Sequence, residues 1–405
     1  MNHGPILLTI GALLLVALAA DTLGRRTGLP RVTLLVLTGI AVGPIGLDLL
    51  PDEMGQATEF IAAIALVMVA FLLGGELSRA KLRRSGWPIL VVSLAVVIVT
   101  AAVVGAGLFA FGMAAVPALL LAAISTATAP AATRDVIYEY RSHGKAGHTG
   151  FSERLLGIVA IDDAWGLVLF GLAVGAAAGL EAGPGFSVAG KIGWELLGAV
   201  GLGVLIGLPA CYLTGRVQPG EPTQSEALGV TLLCGGAAMW LGVSYLLAAI
   251  VAGAMVANFA KHHSRSFREI EHMDWPFLVL FFVLAGASLD LDAVIATGAA
   301  GALYIFLRML GRVVGGWIGG RAAGLPKTES AWIGVALTPQ AGVALGMALV
   351  AAGEFPHYRD LLLTVTVGAT VVFELFGPVL TRMALVRVAG AQGQTSPEKE
   401  PDPGT

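Results

Sequence analysis

Long apolar runs, separated by short clusters of charged, Gly or Pro residues, make up nearly the whole chain. A helix needs roughly 20 predominantly apolar residues to cross a hydrocarbon core of about 30 Å. On that measure the pattern predicts thirteen transmembrane helices. Their approximate limits are 5–20, 31–47, 59–77, 87–112, 116–138, 153–180, 191–215, 226–241, 243–260, 275–289, 293–320, 329–352 and 361–386. The expected fold is an all-α polytopic membrane protein. The first run, ending Ala-Leu-Ala-Ala before Asp21, has the length of a signal peptide. It lacks the positive start of one, because no Lys or Arg precedes Ile6. A retained first span is expected.

Two predicted spans carry helix breakers at matching depth. The fifth, LLLAAISTATAPAATRDVI, has Pro130 within a Ser/Thr-rich stretch, and the twelfth, AWIGVALTPQAGVALGMAL, has Thr338-Pro339 and Gly342. Seven spans separate them, so they run in opposite directions. Spans 2–6 and 9–13 then read as two inverted five-helix repeats, each with an interrupted fourth helix. That arrangement puts an ion site near the midplane, between the breaks. Two independent proline kinks are the plainer alternative, which membrane helices tolerate.

Composition supports the membrane reading. The chain is 56% hydrophobic and 13% charged, whereas a soluble globular domain carries roughly 25% charged residues. This excludes a set of soluble domains, and a net charge of −3 gives no reason to expect nucleic acid. The 55 glycines suit close helix packing in lipid. Cys211 and Cys234 fall in apolar stretches and read as packing residues.

Charge also orients the chain. With the N-terminus outside, twenty of the 24 Lys and Arg residues fall on the cytoplasmic side, and only Lys191 and Arg359 on the outer side. The C-terminus is then cytoplasmic. Its last stretch, 389–405 with PEKEPDPGT near the end, reads as a disordered tail, and no soluble regulatory domain is expected.

The remaining two basic residues, Arg308 and Arg312, lie inside a predicted span. Ionisable groups at that depth are costly and mark ion or proton pathways. Asp162 and Asp163, in GIVAIDDAWGLVLF, are the main acidic candidates. Nine residues separate Asp163 from Arg154 at the cytoplasmic edge, ~14 Å along a helix, which sets the pair near the midplane. A carboxylate can hold a monovalent cation or a proton but not both well, which is the chemistry of exchange. Arg308 is the preferred counter-charge by depth, with Arg312 one turn nearer the cytoplasm on the same face.

Ser125, Thr126, Thr128 and Thr133 flank the break at Pro130. Their hydroxyls suit a desolvated cation, or else satisfy backbone groups that the proline frees. Glu374, in VVFELFGPVL, could likewise partner backbone ends. Glu76 reads as interfacial, and His143, His148, His262, His263 and His272 as loop residues, with pH sensing the alternative.

The segments FLLGGELSRAKLRR, ATAPAATRDVI, GIVAIDDAWGLVLF, FFVLAGASLDL and FELFGPVL resemble the bacterial monovalent cation:proton antiporters of the sodium/proton exchanger superfamily. The likeness runs from about residue 7 to 388, and its most specific part is the Asp-Asp motif. It implies a homodimer in the bacterial inner membrane that exchanges Na⁺, K⁺ or Li⁺ for protons by alternating access, with no cofactor. It implies a dimerisation part (about 1–77 and 226–289), a linker helix (about 191–215) and a mobile core (about 87–180 and 293–388) with crossed, interrupted helices. Asp163 would bind cation and proton, Thr128 would match the threonine of the broken helix, and Asp162 would pair with a basic residue on the eleventh span. That residue is usually lysine and here is Arg308. An Arg and a Glu found near the second break in some members are replaced by TPQAGVALG.

Other classes fit less well. An intramembrane aspartyl protease needs two aspartates facing each other from separate helices, and these are adjacent on one. A passive cation channel or a membrane sensor subunit is the other alternative, and a sensor would usually carry a signalling domain.

Overall fold

The computed structural model describes residues 4–27, 31–44, 46–51, 54–142, 150–181, 186–214, 223–260, 263–287, 291–340 and 342–393. Among these residues there are fifteen α-helices, one short 3₁₀ turn at Pro356–Tyr358 and no strand. In chain order the helices are α1 (Gly4–Thr27), α2 (Arg31–Val42), α3 (Met54–Glu76), α4 (Arg79–Ala110), α5 (Ala115–Ile124), α6 (Pro130–Ser142) and α7 (Gly150–Glu181). They continue as α8 (Phe186–Thr214), α9 (Thr223–Leu241), α10 (Tyr245–Phe259), α11 (His263–Ala287), α12 (Leu291–Ala322), α13 (Lys327–Ala336), α14 (Gly342–Glu354) and α15 (Arg359–Gly393). Six helical stretches are long and apolar enough to cross a membrane, and several shorter helices are also apolar. Trp240, Leu8 and Leu197 stand outward with most of their surface exposed, as lipid-facing side chains do.

The helices depart from the hydropathy limits where the two signals differ. α11 starts at His263, twelve residues before the predicted apolar run, because HSRSFREIEHMD continues the helix without being apolar. α4 similarly begins at Arg79. Its polar first turns are set off from the apolar part by Gly86, whose φ of 74° is a conformation that favours glycine. α15 extends to Gly393, so the predicted tail is helical over its first five residues, 389–393, and the disorder expected there is corrected. Residues 394–405 and His143, His148 and His262 lie outside the described residues.

Two interruptions divide what hydropathy reads as single runs. α5 stops at Ile124 and α6 starts at Pro130, leaving Ser125–Ala129 non-helical, and α13 and α14 are separated at 337–341. Proline lacks an N–H and clashes with the preceding turn, so each break sits at or just before one. A smaller apolar cluster, including Val92, Ile158 and Ile333, joins α4, α7 and α13, while the larger one runs through α3, α5, α7, α10 and α14.

Glycine makes the closest crossings possible. Gly311, Gly315 and Gly319 form one edge of α12, and a Cβ on them would stand 2.7, 2.9 and 2.9 Å from the Cα atoms of Thr100, Val96 and Val92 on α4. On the other side, a Cβ on Gly334 of α13 would overlap the Arg312 carbonyl oxygen. Gly334→Ala is expected to destabilise the protein by at least ~1–3 kcal/mol through overpacking. Gly301→Ala, with nothing within 4 Å, should change stability by less than ~0.5 kcal/mol. Thermal unfolding of the two purified variants in one detergent checks this.

Candidate ion-exchange site

The non-helical stretch after α5 exposes backbone carbonyls and N–H groups that a continuous helix would pair internally. Two helices, α7 and α12, supply the side chains that meet them. Gly166, one turn beyond Asp162 on α7, lets that helix approach: a Cβ there would stand 2.9 Å from Thr126 Oγ1.

Asp162 and Asp163, about 100° apart around α7, have different surroundings. Asp163 Oδ1 accepts from the backbone N–H of Thr128 at 2.8 Å and from its hydroxyl at 3.0 Å. Asp162 Oδ2 accepts from Arg312 Nη1 at 2.6 Å, an ion pair with both side chains at zero exposure. The other oxygen of each carboxylate, Asp162 Oδ1 and Asp163 Oδ2, is buried without a hydrogen-bond partner in the protein. Buried polar atoms are nearly always partnered. Two free carboxylate oxygens beside a broken helix are therefore acceptors available to a cation or a proton.

Arg308 is not the partner of Asp162, which corrects the expectation from depth. Its Nε donates to Ser125 O at 2.9 Å, Nη2 to Ala127 O at 2.8 Å and Nη1 to Thr338 O at 2.8 Å. Its guanidinium also stacks on the Phe373 ring, 4.2 Å from the centroid. One side chain thus joins the carbonyls freed at both interruptions, where the negative helix C-termini favour a cation. Arg312 Nη2 donates to Thr126 O and, at 3.0 Å, to Ala127 O. Depth could not separate the two arginines, because the side chain is longer than the ~5.4 Å rise of one turn.

The hydroxyls divide. Ser125 and Thr126 donate to Ala122 O and Ala123 O at 2.6 Å, the backbone-satisfying alternative. Thr128 holds Asp163, and the Thr133 hydroxyl is buried without a partner. Glu374 bonds Thr33, not the ion site.

Sequence reading missed three contributors. Gln340 at the second break donates to Tyr304 Oη at 3.5 Å and leaves its own Oε1 unpartnered. Tyr304 is fully buried on α12, one turn before Arg308. Glu329, also buried, holds Arg154 at 2.5 Å and ties the starts of α13 and α7. The only available signal was a lone polar residue in each apolar context, which is too common to single them out. No cluster of three or more His, Cys, Asp or Glu side chains suited to a metal occurs among the described residues.

The chain is similar to known proteins. The family described as sodium/hydrogen exchanger, transmembrane, matches residues 11–386. The ammonium/H(+) antiporter subunit AmhT of Alkalihalophilus pseudofirmus is 25% identical over 378 residues, covering 92% of this chain and 94% of that protein. The structure of the sodium proton antiporter MjNhaP1 from Methanocaldococcus jannaschii at pH 8 superposes with a TM-score of 0.75 at 17% identity, over 95% of this chain and all of that one. A second MjNhaP1 structure, from an electron-microscopy map, gives 0.67 at 16% identity over 99% of this chain and all of that one. At these identities the likeness is one of fold.

Proposed function

We propose that this chain, which belongs to the sodium/hydrogen exchanger family, exchanges Na⁺ for protons at Asp163 by alternating access. The observation that carries the reading is the pair of buried, unpartnered oxygens, Asp162 Oδ1 and Asp163 Oδ2, at an interrupted helix. A dehydrated cation needs several oxygen ligands. Asp163, Asp162, Thr128 and the carbonyls freed at the break are the ones present. Arg312 holds Asp162, and Arg308 holds both breaks together.

In the proposed architecture the fifteen helices make thirteen crossings, with α5–α6 and α13–α14 each counting as one. Spans 2–6 and 9–13 are inverted repeats. The site side chains come from α7, α12 and the break after α5, and their contacts from the break after α13 and from α15. This supports a mobile core of about 87–180 and 293–388. The dimerisation part (about 1–77 and 226–289) then forms a homodimer scaffold, joined through the linker helix at about 191–215. The charge count supports a cell-membrane protein, the inner one in a two-membrane bacterium, with its N-terminus outside.

The test is dissipation of an imposed pH gradient in proteoliposomes on adding Na⁺, with Li⁺, K⁺ and NH₄⁺ in parallel. The ammonium arm follows from the name of the curated relative. Na⁺-dependent dissipation is expected, and no response to any cation would overturn the reading. Competition is a second expectation. Protons and cation share one carboxylate, so lowering the pH fills the site with protons and weakens apparent cation affinity. Below the pH at which the site is half protonated, the apparent constant should rise about tenfold per pH unit. A flat constant over two units there would mean separate sites.

Stoichiometry follows from the ion pair. Arginine does not release its proton in proteins. With Asp162 committed to Arg312, Asp163 alone exchanges, one proton per monovalent cation. A membrane potential imposed at symmetric pH and cation concentration should therefore drive no cation accumulation. Potential-driven accumulation would show that the ion pair opens and that Asp162 also carries a proton.

A further inference from the structure

Outside the ion site, one buried carboxylate reaches from the proposed core to the proposed scaffold. Glu374 of α15 is 4% exposed, and its Oε2 accepts the Thr33 hydroxyl of α2 at 2.5 Å. Thr33 is the third residue of α2, where N–H groups have no partner within the helix. Glu374 thus bonds the first turn of a helix 341 residues away in sequence. The carboxylate also meets the positive end of the α2 dipole. Such charge-assisted bonds are among the stronger ones.

Elsewhere, the same two parts stand apart. A cavity of about 620 Å³ lies between core residues Phe170, Gly171 and Glu354 and scaffold or linker residues Glu195, Ser244 and Tyr245. Phe170 is seven residues beyond Asp163 on α7, ~10 Å toward the outer end in the proposed orientation. The Thr33–Glu374 contact is at the opposite, cytoplasm-facing end of α2. Core and scaffold are therefore parted on one side of the site and bonded at the start of α2.

We propose that the Thr33–Glu374 contact is a latch that holds the core in the outward-facing arrangement and must open once in each transport cycle. This rests on the antiport reading for the cycle, but the contact itself does not depend on it. A polar side-chain bond suits the task. It is directional and lost within a small displacement, whereas apolar contacts between the same helices can slide.

The first experiment bridges the latch. Thr33→Cys and Glu374→Cys are combined in a Cys211→Ser, Cys234→Ala background, and a short bis-methanethiosulfonate, which forms reducible disulfide links and releases methanesulfinate, is applied in proteoliposomes. Linking is expected to cut cation/proton exchange at least about tenfold, with recovery on reduction and no effect of the reagent on either single-site variant. Full exchange by protein that mass spectrometry shows to be linked would overturn the proposal.

A second measurement needs no transport. Val174→Cys places a thiol in the cavity, to be labelled from outside by an impermeant maleimide in the same cysteine-free background. Adding Glu374→Gln, which removes the charge, should slow labelling several-fold, up to about tenfold, as the population shifts inward. An unchanged labelling rate would overturn the latch. A protein that labels as expected yet exchanges no cation would instead count against the antiport reading.

Discussion

Asp163→Asn is expected to abolish cation/proton exchange while leaving the protein folded. Asn is nearly isosteric, and its side-chain oxygen can still accept from the Thr128 N–H and hydroxyl that now bond Asp163 Oδ1. What is lost is the negative charge and, with it, both the proton and the attraction for a cation. At effective dielectrics between ~20 and 80, a unit charge at about 4 Å is worth on the order of 1–4 kcal/mol, enough to weaken cation binding ~5- to 1000-fold. Proton exchange at this position disappears outright, so no compensation through higher cation concentration is expected. The measurement is Na⁺-dependent gradient dissipation, with size-exclusion profile and thermal unfolding matched to the unmodified protein. Exchange at the unmodified rate would remove Asp163 from the site.

Arg312→Gln should have the largest effect on stability. Asp162 loses its ion-pair partner at 2.6 Å, and the carbonyls of Thr126 and Ala127 lose a donor, all within a region of zero or near-zero exposure. Removing one member of a buried pair costs about 3–5 kcal/mol, because the other charge stays behind without compensation. Arg308→Gln provides the contrast. It leaves Asp162 with its partner and takes one donor from the carbonyls of Ser125, Ala127 and Thr338; Arg312 still donates to the first two, so the main loss is the bond to Thr338 O, ~1–3 kcal/mol if left buried and unmade. Both variants should lower the unfolding temperature in detergent. Asp162→Asn added to Arg312→Gln should recover part of the loss, since the double change removes both charges. The same addition to Arg308→Gln should make matters worse, because it breaks an intact pair. Recovery in the Arg308 background and none in the Arg312 background would reverse the assignment of the two arginines.

Hydropathy could place the helices, because the bilayer requires long apolar runs and backbone hydrogen bonding within each segment. It erred where helix and membrane part company: α11 begins twelve residues early, and α15 runs on to Gly393. Proline chemistry is local, so the interruptions near Pro130 and Pro339 were also legible. The rarity of charge in lipid singled out Asp162, Asp163, Arg308 and Arg312 before any geometry was known.

Contacts between distant segments were not legible, since they depend on how helices cross. Arg308 and Arg312 lie one turn apart on the same face of α12. Their sequence spacing is compatible with either one pairing with Asp162. Only the crossing of α12 against the two breaks gives Arg308 three carbonyls and leaves Arg312 for the carboxylate. Thr33 and Glu374 are likewise an ordinary threonine and a lone buried acid until α2 and α15 meet. The sequence by itself determined the membrane class, the helix breaks and the small set of buried charges. Each of these follows from the cost of placing polar groups in hydrocarbon, a property of the residue and its neighbours. Which charge meets which was decided by tertiary packing alone, because hydrogen bonds act over about 3 Å and helix crossing sets those distances.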